Sequence, residues 1–287
     1  MMTPAVWTAF HVEQPITDAL RWLNSCGWKY FELSTEHLQQ INEAADRSGR
    51  IEQAKATLRE LGSSMPQAHA MLKANVAQAD AAARRADIER MQREMDCCAK
   101  LGVRHVVIHP GAGEGYTTTE DLRRIVLLNV QAFKRLGDLA GELGMKIGIE
   151  NMTDAGLVGK RRFGSSPHEL MELLDRLDHP ALGITLDTSH ASVQNLDIPA
   201  TIREFGPRIL CTHVSDNDGS GDQHRTPGNG RIDWPAVMKA LRGIGYAGLL
   251  NLEIPGERHN VPEIQTMKVR WALEMATWLV RLGQSGA

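Results

Sequence analysis

Acidic and histidine residues stand at the ends of short apolar segments in this chain, and these residue types transfer protons and bind metal ions. In the second half of the chain the segments KIGIE, GITLD, ILCTH and LLNLE end at Glu150, Asp187, His213 and Glu253. In the first half the corresponding positions are His11, Glu32, His69 and His109. Asp, Glu and His total 46 of 287 residues (35 plus 11), so eight random positions would hold about one of them. These segment ends are therefore enriched in reactive side chains.

Three carboxylates and an imidazole in one place predict a site for a divalent cation. Packed carboxylates repel one another and are costly to desolvate unless a cation neutralises them. Three oxygen ligands and one nitrogen suit Mn²⁺, Mg²⁺, Co²⁺, Fe²⁺ or Zn²⁺, and the residue types do not choose among these ions. Each residue also has a plainer interpretation, because a carboxylate after a strand can cap a helix and a histidine can bond to backbone carbonyls.

The segments that carry these residues are predicted to be parallel strands. Several are near-continuous apolar runs, which is typical of strands covered on both faces. The predicted strands span residues 7–11, 29–33, 66–70, 105–111, 146–151, 183–190, 209–216 and 248–256. Between them lie helical patterns, such as Ile88, Met91, Met95, Cys98 and Leu101 at helical spacing, followed by Gly102 as a C-terminal cap.

Eight alternations of strand and helix without a linker predict one α/β domain over residues 1–287, a single (β/α)₈ TIM barrel. The active site of such a barrel lies at the C-terminal ends of its strands. A doubly wound open sheet is the alternative, but it should carry a glycine-rich phosphate fingerprint after its first strand. WTAFHVEQP contains none, and GAGEG further along lacks the GxGxxG spacing.

Charge and composition limit the classes of binding partner and the cellular compartment that we expect for this protein. A net charge of −3 gives no general attraction for nucleic acid or for an anionic membrane, which favours small polar molecules. The four cysteines form no CxxC pair, as expected in a reducing cytoplasm. The amino terminus lacks the basic region of a signal peptide, and no apolar stretch reaches the length of a membrane span. We therefore expect a cytoplasmic protein.

The motifs IGIEN, LDTSH, HVSDNDG, PGNGRIDW and LNLEIPG, in this order, resemble those of the xylose-isomerase-like barrels. That superfamily includes sugar and sugar-phosphate isomerases and epimerases, inosose dehydratases and, more distantly, the endonuclease IV type of abasic-site nuclease. The resemblance implies that Glu150, Asp187, His213 and Glu253 bind the metal. It also implies that Glu150 and Glu253 move protons on opposite faces of the substrate, while His190 contacts it. The epimerase branch usually has an arginine where His224 stands, and the adjacent Arg225 is the candidate for that substrate contact here.

The nuclease branch of the same superfamily holds three zinc ions with nine residues. His69, His109, His190, Asp222 and His224 complete that pattern here, although many sugar-isomerase-like members keep the same histidines and the DxH pair, which can bind sugar hydroxyls without metals. The basic residues Lys160, Arg161 and Arg162 either hold a substrate phosphate or form a solvated charge run.

The predicted function is a metal-dependent sugar or sugar-phosphate isomerase or epimerase that transfers protons through an enediolate. Three alternatives stay open: an inosose or keto-sugar dehydratase or lyase, an endonuclease IV-like zinc phosphodiesterase, and a noncatalytic sugar-binding protein. Trp7 and Phe10 are candidates for an apolar wall beside the sugar. The helix containing Trp271 and Trp278 is expected to pack on the barrel or on a second copy in a homo-oligomer.

Overall fold

The computed structural model describes residues 1–284, which contain the predicted (β/α)₈ barrel. Its eight parallel strands follow the order β7-β6-β5-β4-β3-β2-β1-β8. The strands are β1 (Thr3–Trp7), β2 (Tyr30–Leu33), β3 (Ser64–His69), β4 (His105–Ile108), β5 (Lys146–Glu150), β6 (Leu182–Asp187), β7 (Ile209–His213) and β8 (Leu249–Leu252). The extent of a single domain over residues 1–287 stays a prediction.

Strands β7 and β8 close the barrel through fewer ladder bonds than the other neighbours make. Val214 forms an isolated parallel bridge with Leu252. Nearby, the Thr212 hydroxyl donates a hydrogen bond to the Leu249 carbonyl (2.8 Å) and accepts one from the Asn251 amide (3.3 Å). The side chain of Thr212 thus takes the place of a backbone group at the seam. Because the barrel is closed, the C-terminal ends of all eight strands surround one mouth.

Helices surround the sheet and cover its outer face. They are α1 (Ile16–Ser25), α2 (Thr35–Asn42), α3 (Arg47–Glu60), α4 (Ala81–Leu101), α5 (Thr119–Glu142), α6 (Pro167–Leu177), α7 (Thr188–Val193), α8 (Ile198–Phe205), α9 (Trp234–Gly243) and α10 (Pro262–Gln284). The apolar positions expected in α4 are buried, and Gly102 ends that helix at a φ of 89°, where a side chain would be strained. Within residues 1–284, no helix is both long and apolar enough to cross a membrane.

Helix α10 packs on the barrel, where it contacts α9 and β1. Packing on the barrel was one of the two arrangements that the sequence predicts for this helix. It buries Val269, Ala272, Ala276 and Leu279. Trp271 and Trp278 lie on its outer side with 38% and 41% of their surfaces exposed. The side of α10 that faces the barrel is therefore settled, whereas a homo-oligomer stays a prediction.

The first strand lies earlier than the prediction of 7–11. β1 spans Thr3–Trp7, and Ala9–His11 form a 3₁₀ turn. The apolar residues on both sides of Trp7 look alike in composition, and only the pairing of Thr3 to Val6 with β8 distinguishes them. His11 consequently misses the strand end: its ring lies 4.3 Å from that of Trp22, and its Nδ1 is 3.4 Å from Glu13. The other strand predictions agree with the structure to within a few residues.

Candidate functional site

Four side chains from consecutive strands meet in the mouth of the barrel. Glu150 ends β5, Asp187 ends β6, His213 ends β7, and Glu253 directly follows β8. One ligand atom from each lies within 4.8 Å of every other. All four residues are buried. The structure therefore brings together the whole set that the sequence predicts as metal ligands.

His213 is held between carboxylates on both sides of its ring. Its Nε2 lies 2.9 Å from Glu32 Oε1, while its Nδ1 lies 3.1 Å from Glu150 and 3.4 Å from Glu253. Burial opposes a charged imidazole, but the surrounding carboxylates outweigh it and raise the pKa of His213 well above its usual value. Glu32 in turn accepts a hydrogen bond from Asn251. Nδ1 is therefore the nitrogen directed toward the cluster.

Glu150 lies at the centre of a histidine group. Its Oε2 is 3.4 Å from His69 Nε2 and 3.1 Å from His109 Nε2. Burial would raise the pKa of Glu150, but the neighbouring His213 outweighs burial and holds that pKa well below its usual range. For His109, burial prevails over Glu150 and lowers the pKa of the imidazole. His69, His109 and Glu150 thus form a second set of closely spaced ligand atoms.

The two carboxylate oxygens of Asp187 have different surroundings. Its Oδ1 accepts a hydrogen bond from the His190 amide (2.7 Å), which caps helix α7. Its Oδ2 is buried and has no hydrogen-bond partner in the described part of the chain. Burial raises the pKa of Asp187 to about 6. One oxygen therefore stabilises the helix, and the other is available to a ligand.

A third group surrounds Asp222. Its Oδ2 lies 3.2 Å from His190 Nε2 and 3.0 Å from His224 Nε2, and Ser189 donates a hydrogen bond to Oδ1. Burial disfavours the His224 imidazolium, but Asp222 outweighs it and raises the pKa of His224 to about 10. His224 adopts a φ of 44°, a conformation that a non-glycine residue rarely takes outside constrained sites. Asp187, His190 and His224 form a further compact set of ligand atoms.

Arg225, which the sequence suggests for substrate contact, is not brought to the cluster. Its guanidinium bonds to Asp218 (3.2 Å) and to the carbonyl of Asn229 (3.3 Å). Its backbone pairs with Asp216 in an isolated antiparallel bridge. The guanidinium of Arg225 therefore bonds to residues of its own loop and not to the metal-ligand cluster.

Asp216 organises the loop that carries Asp222 and His224. Its carboxylate accepts hydrogen bonds from the indole of Trp234 (2.9 Å) and the amide of Gly228 (2.9 Å). A Cβ at Gly230 would lie 2.2 Å from Asp216 Oδ1, so the close approach requires glycine. These contacts explain why HVSDNDG and PGNGRIDW occur together.

Asn151 is a site residue that the sequence reasoning missed. Its Nδ2 donates to the Asp187 carbonyl (2.9 Å), and its Oδ1 accepts from the Asp187 amide (2.7 Å). It therefore fixes the backbone of a predicted ligand from the neighbouring strand. Its position next to Glu150 in IGIEN was the available signal.

Comparison with known proteins identifies the family to which this barrel is similar. A family model described as a xylose isomerase-like TIM barrel matches residues 20–279. A ketose 3-epimerase from Arthrobacter globiformis is 28% identical over 203 residues, covering 69% of this chain and 65% of that protein. A probable endonuclease 4 from Nitratidesulfovibrio vulgaris is 26% identical over 248 residues, covering 81% and 85% respectively. The relatives thus include both kinds of enzyme suggested by the motifs.

The fold is shared with solved structures over the full length of the barrel. A D-tagatose 3-epimerase-like protein superposes with a TM-score of 0.80 at 20% identity, covering 99% of this chain and 100% of that one. The chain spans 62%, 56% and 57% of the length of the first curated relatives it matches. The structural likeness establishes the barrel, and the chemistry must be argued from the site.

Proposed function

The chain belongs to the xylose isomerase-like TIM barrel family, and from that membership we propose that it is a divalent-metal-dependent isomerase or epimerase of a sugar or sugar phosphate. The observation that carries the proposal is the four-residue cluster of Glu150, Asp187, His213 and Glu253. The similarity to a ketose 3-epimerase supports the same class of reaction. We also propose a small sugar, rather than a nucleic acid or a membrane, as the partner of this slightly acidic protein.

The donor set fits a divalent cation. Asp187 Oδ2 is buried and has no hydrogen-bond partner among residues 1–284, and the buried Glu150 Oε2 and His69 Nε2 make no well-aligned hydrogen bond although they lie 3.4 Å apart. Unpaired buried polar atoms are costly, so their convergence in one mouth supports a ligand that bonds to them. We propose that Glu150, Asp187, His213 and Glu253 hold the ion, which supplies positive charge to stabilise an enediolate. The ligand types suit Mn, Mg, Co, Fe or Zn.

The proton transfers are assigned to Glu150 and Glu253. Strands β6 and β7 separate the strands that present these residues, so the two carboxylates lie on different sides of the mouth. One removes the proton next to the carbonyl and the other returns a proton to the opposite face, which epimerises that carbon. Return by the same carboxylate to the neighbouring carbon gives isomerisation. Expulsion of a β-hydroxyl instead gives the alternative dehydratase reaction.

His190 is assigned to substrate orientation. Its Nδ1 donates a hydrogen bond to the Asn151 carbonyl (2.8 Å), and its Nε2 contacts Asp222. Burial opposes protonation, but Asp187 and Asp222 outweigh it and raise the pKa of His190 well above its usual value. Because Nδ1 is held by the Asn151 carbonyl, Nε2 is the nitrogen that would bind a sugar oxygen, by sharing or exchanging its contact with Asp222, and stabilise negative charge on that oxygen.

An endonuclease IV-like phosphodiesterase is the second candidate function. It is favoured by the two additional ligand sets, one with His69 and His109 and one with His190 and His224. Similarity to a probable endonuclease 4 supports it as well. Against it stands the net charge of −3, because binding to DNA requires several phosphate contacts from Lys and Arg.

A direct test compares the two chemistries on one preparation. Metal-loaded protein is incubated with a panel of ketoses and ketose phosphates, and products are followed by NMR in D₂O. The same preparation is incubated at low salt with a duplex that contains an abasic site. We expect epimerised or isomerised sugar with deuterium at the reacting carbon, and no strand cleavage. Efficient cleavage without sugar turnover would instead establish the phosphodiesterase.

Glu32→Gln is expected to weaken metal binding by about 10- to 100-fold without unfolding the barrel. Glu32 orients His213 by accepting from Nε2, and the amide that replaces it is a weaker acceptor that can also turn its NH₂ toward the ring. Competition with a fluorescent chelator measures the affinity, and circular dichroism measures folding. Glu142→Gln, at an exposed position on α5, is the matched control. Equal affinities for the two variants would remove Glu32 from the metal site.

A further inference from the structure

A cavity of about 290 Å³ opens beside His109, between the loops that follow β3, β4 and β5. Its lining includes Lys73, Asn75, Met152 and Arg162. His109 is shared with the metal cluster, since its Nε2 lies 3.1 Å from Glu150. A molecule whose reacting end contacts Glu150 can therefore extend past His109 into this cavity.

The three consecutive basic residues after β5 differ in their contacts. Arg161 pairs with Asp154 (3.3 Å), and Lys160 donates a hydrogen bond to the carbonyl of Glu114 (3.3 Å). Arg162 lines the cavity and is half-buried, and no described residue provides an acidic partner for its guanidinium. A half-buried guanidinium without a carboxylate is available to bind an anion. Arg162 therefore differs from a charged residue that is simply exposed to solvent.

The loop that carries Arg162 is held firmly. The Arg162 amide donates to Asp154 (2.6 Å), and Arg161 and Tyr116 exchange two backbone hydrogen bonds. Phe163, the next residue, is fully buried. Because the backbone is already ordered, binding to Arg162 loses less conformational entropy than binding to a flexible loop.

The opposite wall of the cavity adds a second cation. Lys73 is exposed and has no ion pair within the described residues. Its loop is tied to the β4 loop by Asn75, which donates to the Gly113 carbonyl (2.8 Å) and accepts from the Gly113 amide (3.0 Å). Glu114 also lines the cavity, but its side chain is exposed. The cavity lining therefore has a net positive charge, because Arg162 and Lys73 come from two different loops and the only carboxylate that the described residues place in the lining, that of Glu114, is exposed to solvent.

We propose that this cavity binds an anionic substituent of the substrate, a phosphate or a carboxylate, through Arg162 and Lys73. The proposal rests on the proposed function, because it assumes that the opposite end of the same sugar reaches Glu150 and Glu253. An arginine matches the paired oxygens of both anions, and a lysine adds a second charge. The preferred substrate class is therefore a ketose phosphate or a keto sugar acid rather than a neutral sugar.

Calorimetry on the manganese-loaded protein tests this without requiring turnover. D-ribulose 5-phosphate is compared with D-ribulose, and D-fructuronate with D-fructose, so that the two anions are examined separately. We expect at least one anionic sugar to bind about 10- to 100-fold more tightly than its neutral counterpart. Arg162→Ala should remove this preference by lowering the affinity for the anionic sugar much more than that for its neutral counterpart. Arg162→Lys should keep part of it, and Glu114→Gln should increase it.

Arg135→Ala, which removes a positive charge from the exposed side of α5, is the matched control and should retain the preference. A preference that survives Arg162→Ala undiminished would show that Arg162 does not bind the anion and would overturn the proposal. Failure of any anionic sugar to bind more tightly than its neutral counterpart would also overturn it. If the preference depends on Arg162 but no sugar is turned over, the binding site stands and the isomerase function fails.

Discussion

Replacing Glu253 with glutamine is expected to lower kcat by at least about 1,000-fold while the barrel remains folded. Glutamine has nearly the same shape as glutamate, but it neither accepts a proton nor neutralises a cation. Glu253 lies 3.4 Å from His213 Nδ1, and its position just after β8 lets it act from the side opposite Glu150. Sugar turnover is measured by NMR, metal content by mass spectrometry, and folding by circular dichroism.

Deuterium exchange can separate a role in proton transfer from a role in metal binding. If Glu253→Gln keeps its metal, Glu150 should still exchange the substrate proton with D₂O for one epimer, although the other epimer does not form. Glu150→Gln should show the complementary preference. Asp187→Asn should instead lower metal content and exchange of both epimers together, because Asp187 is assigned no proton. Glu204→Gln, on the exposed side of α8, provides the control. Retention of more than about one tenth of kcat by Glu253→Gln would contradict the assignment of Glu253.

The ligand cluster could be predicted because it depends on topology more than on side-chain detail. Once KIGIE, GITLD, ILCTH and LLNLE are parallel strands of one barrel, their last residues must surround one mouth. An error of one residue in a strand boundary leaves Glu150, Asp187 and His213 near that mouth. The strand at 7–11 was wrong because apolar residues lie on both sides of Trp7, and pairing with β8 selects Thr3–Trp7. That choice depends on partners distant in the sequence.

The contacts around Asp222 and Arg225 could not be predicted in the same way. Both residues lie in a loop whose path depends on Asp216 bonding to Gly228 and Trp234, which are 12 and 18 positions further along the chain. Composition places acids and glycines there but does not indicate which carboxylate faces inward. The same limit applies to Lys160, Arg161 and Arg162, which are adjacent in sequence and differ only in the neighbours that the folded loops supply.

Removal of bound metal with a chelator is expected to abolish turnover and to lower the melting temperature by about 5 °C. The buried carboxylates of Glu150, Asp187 and Glu253 repel one another when no cation neutralises them. A ligand that binds only the folded state stabilises it by about 2.7 kcal/mol at a concentration 100 times its Kd. Turnover and melting are measured on protein dialysed against chelator, before and after stepwise addition of Mn²⁺. Full activity in the metal-free protein would refute the proposed chemistry.

The number of ions that restores activity also distinguishes the two candidate functions. In a sugar isomerase one equivalent should suffice, because Glu150, Asp187, His213 and Glu253 form one complete ligand set. His109→Ala should then leave the stoichiometry at one ion and change mainly KM, since His109 borders the cavity beside the cluster. In the phosphodiesterase about three zinc ions should bind, and His109→Ala should remove one of them. His168→Ala, at an exposed position on α6, should change neither quantity in either case. Ion counting on this pair of variants therefore tests the role of the extra histidines independently of any substrate.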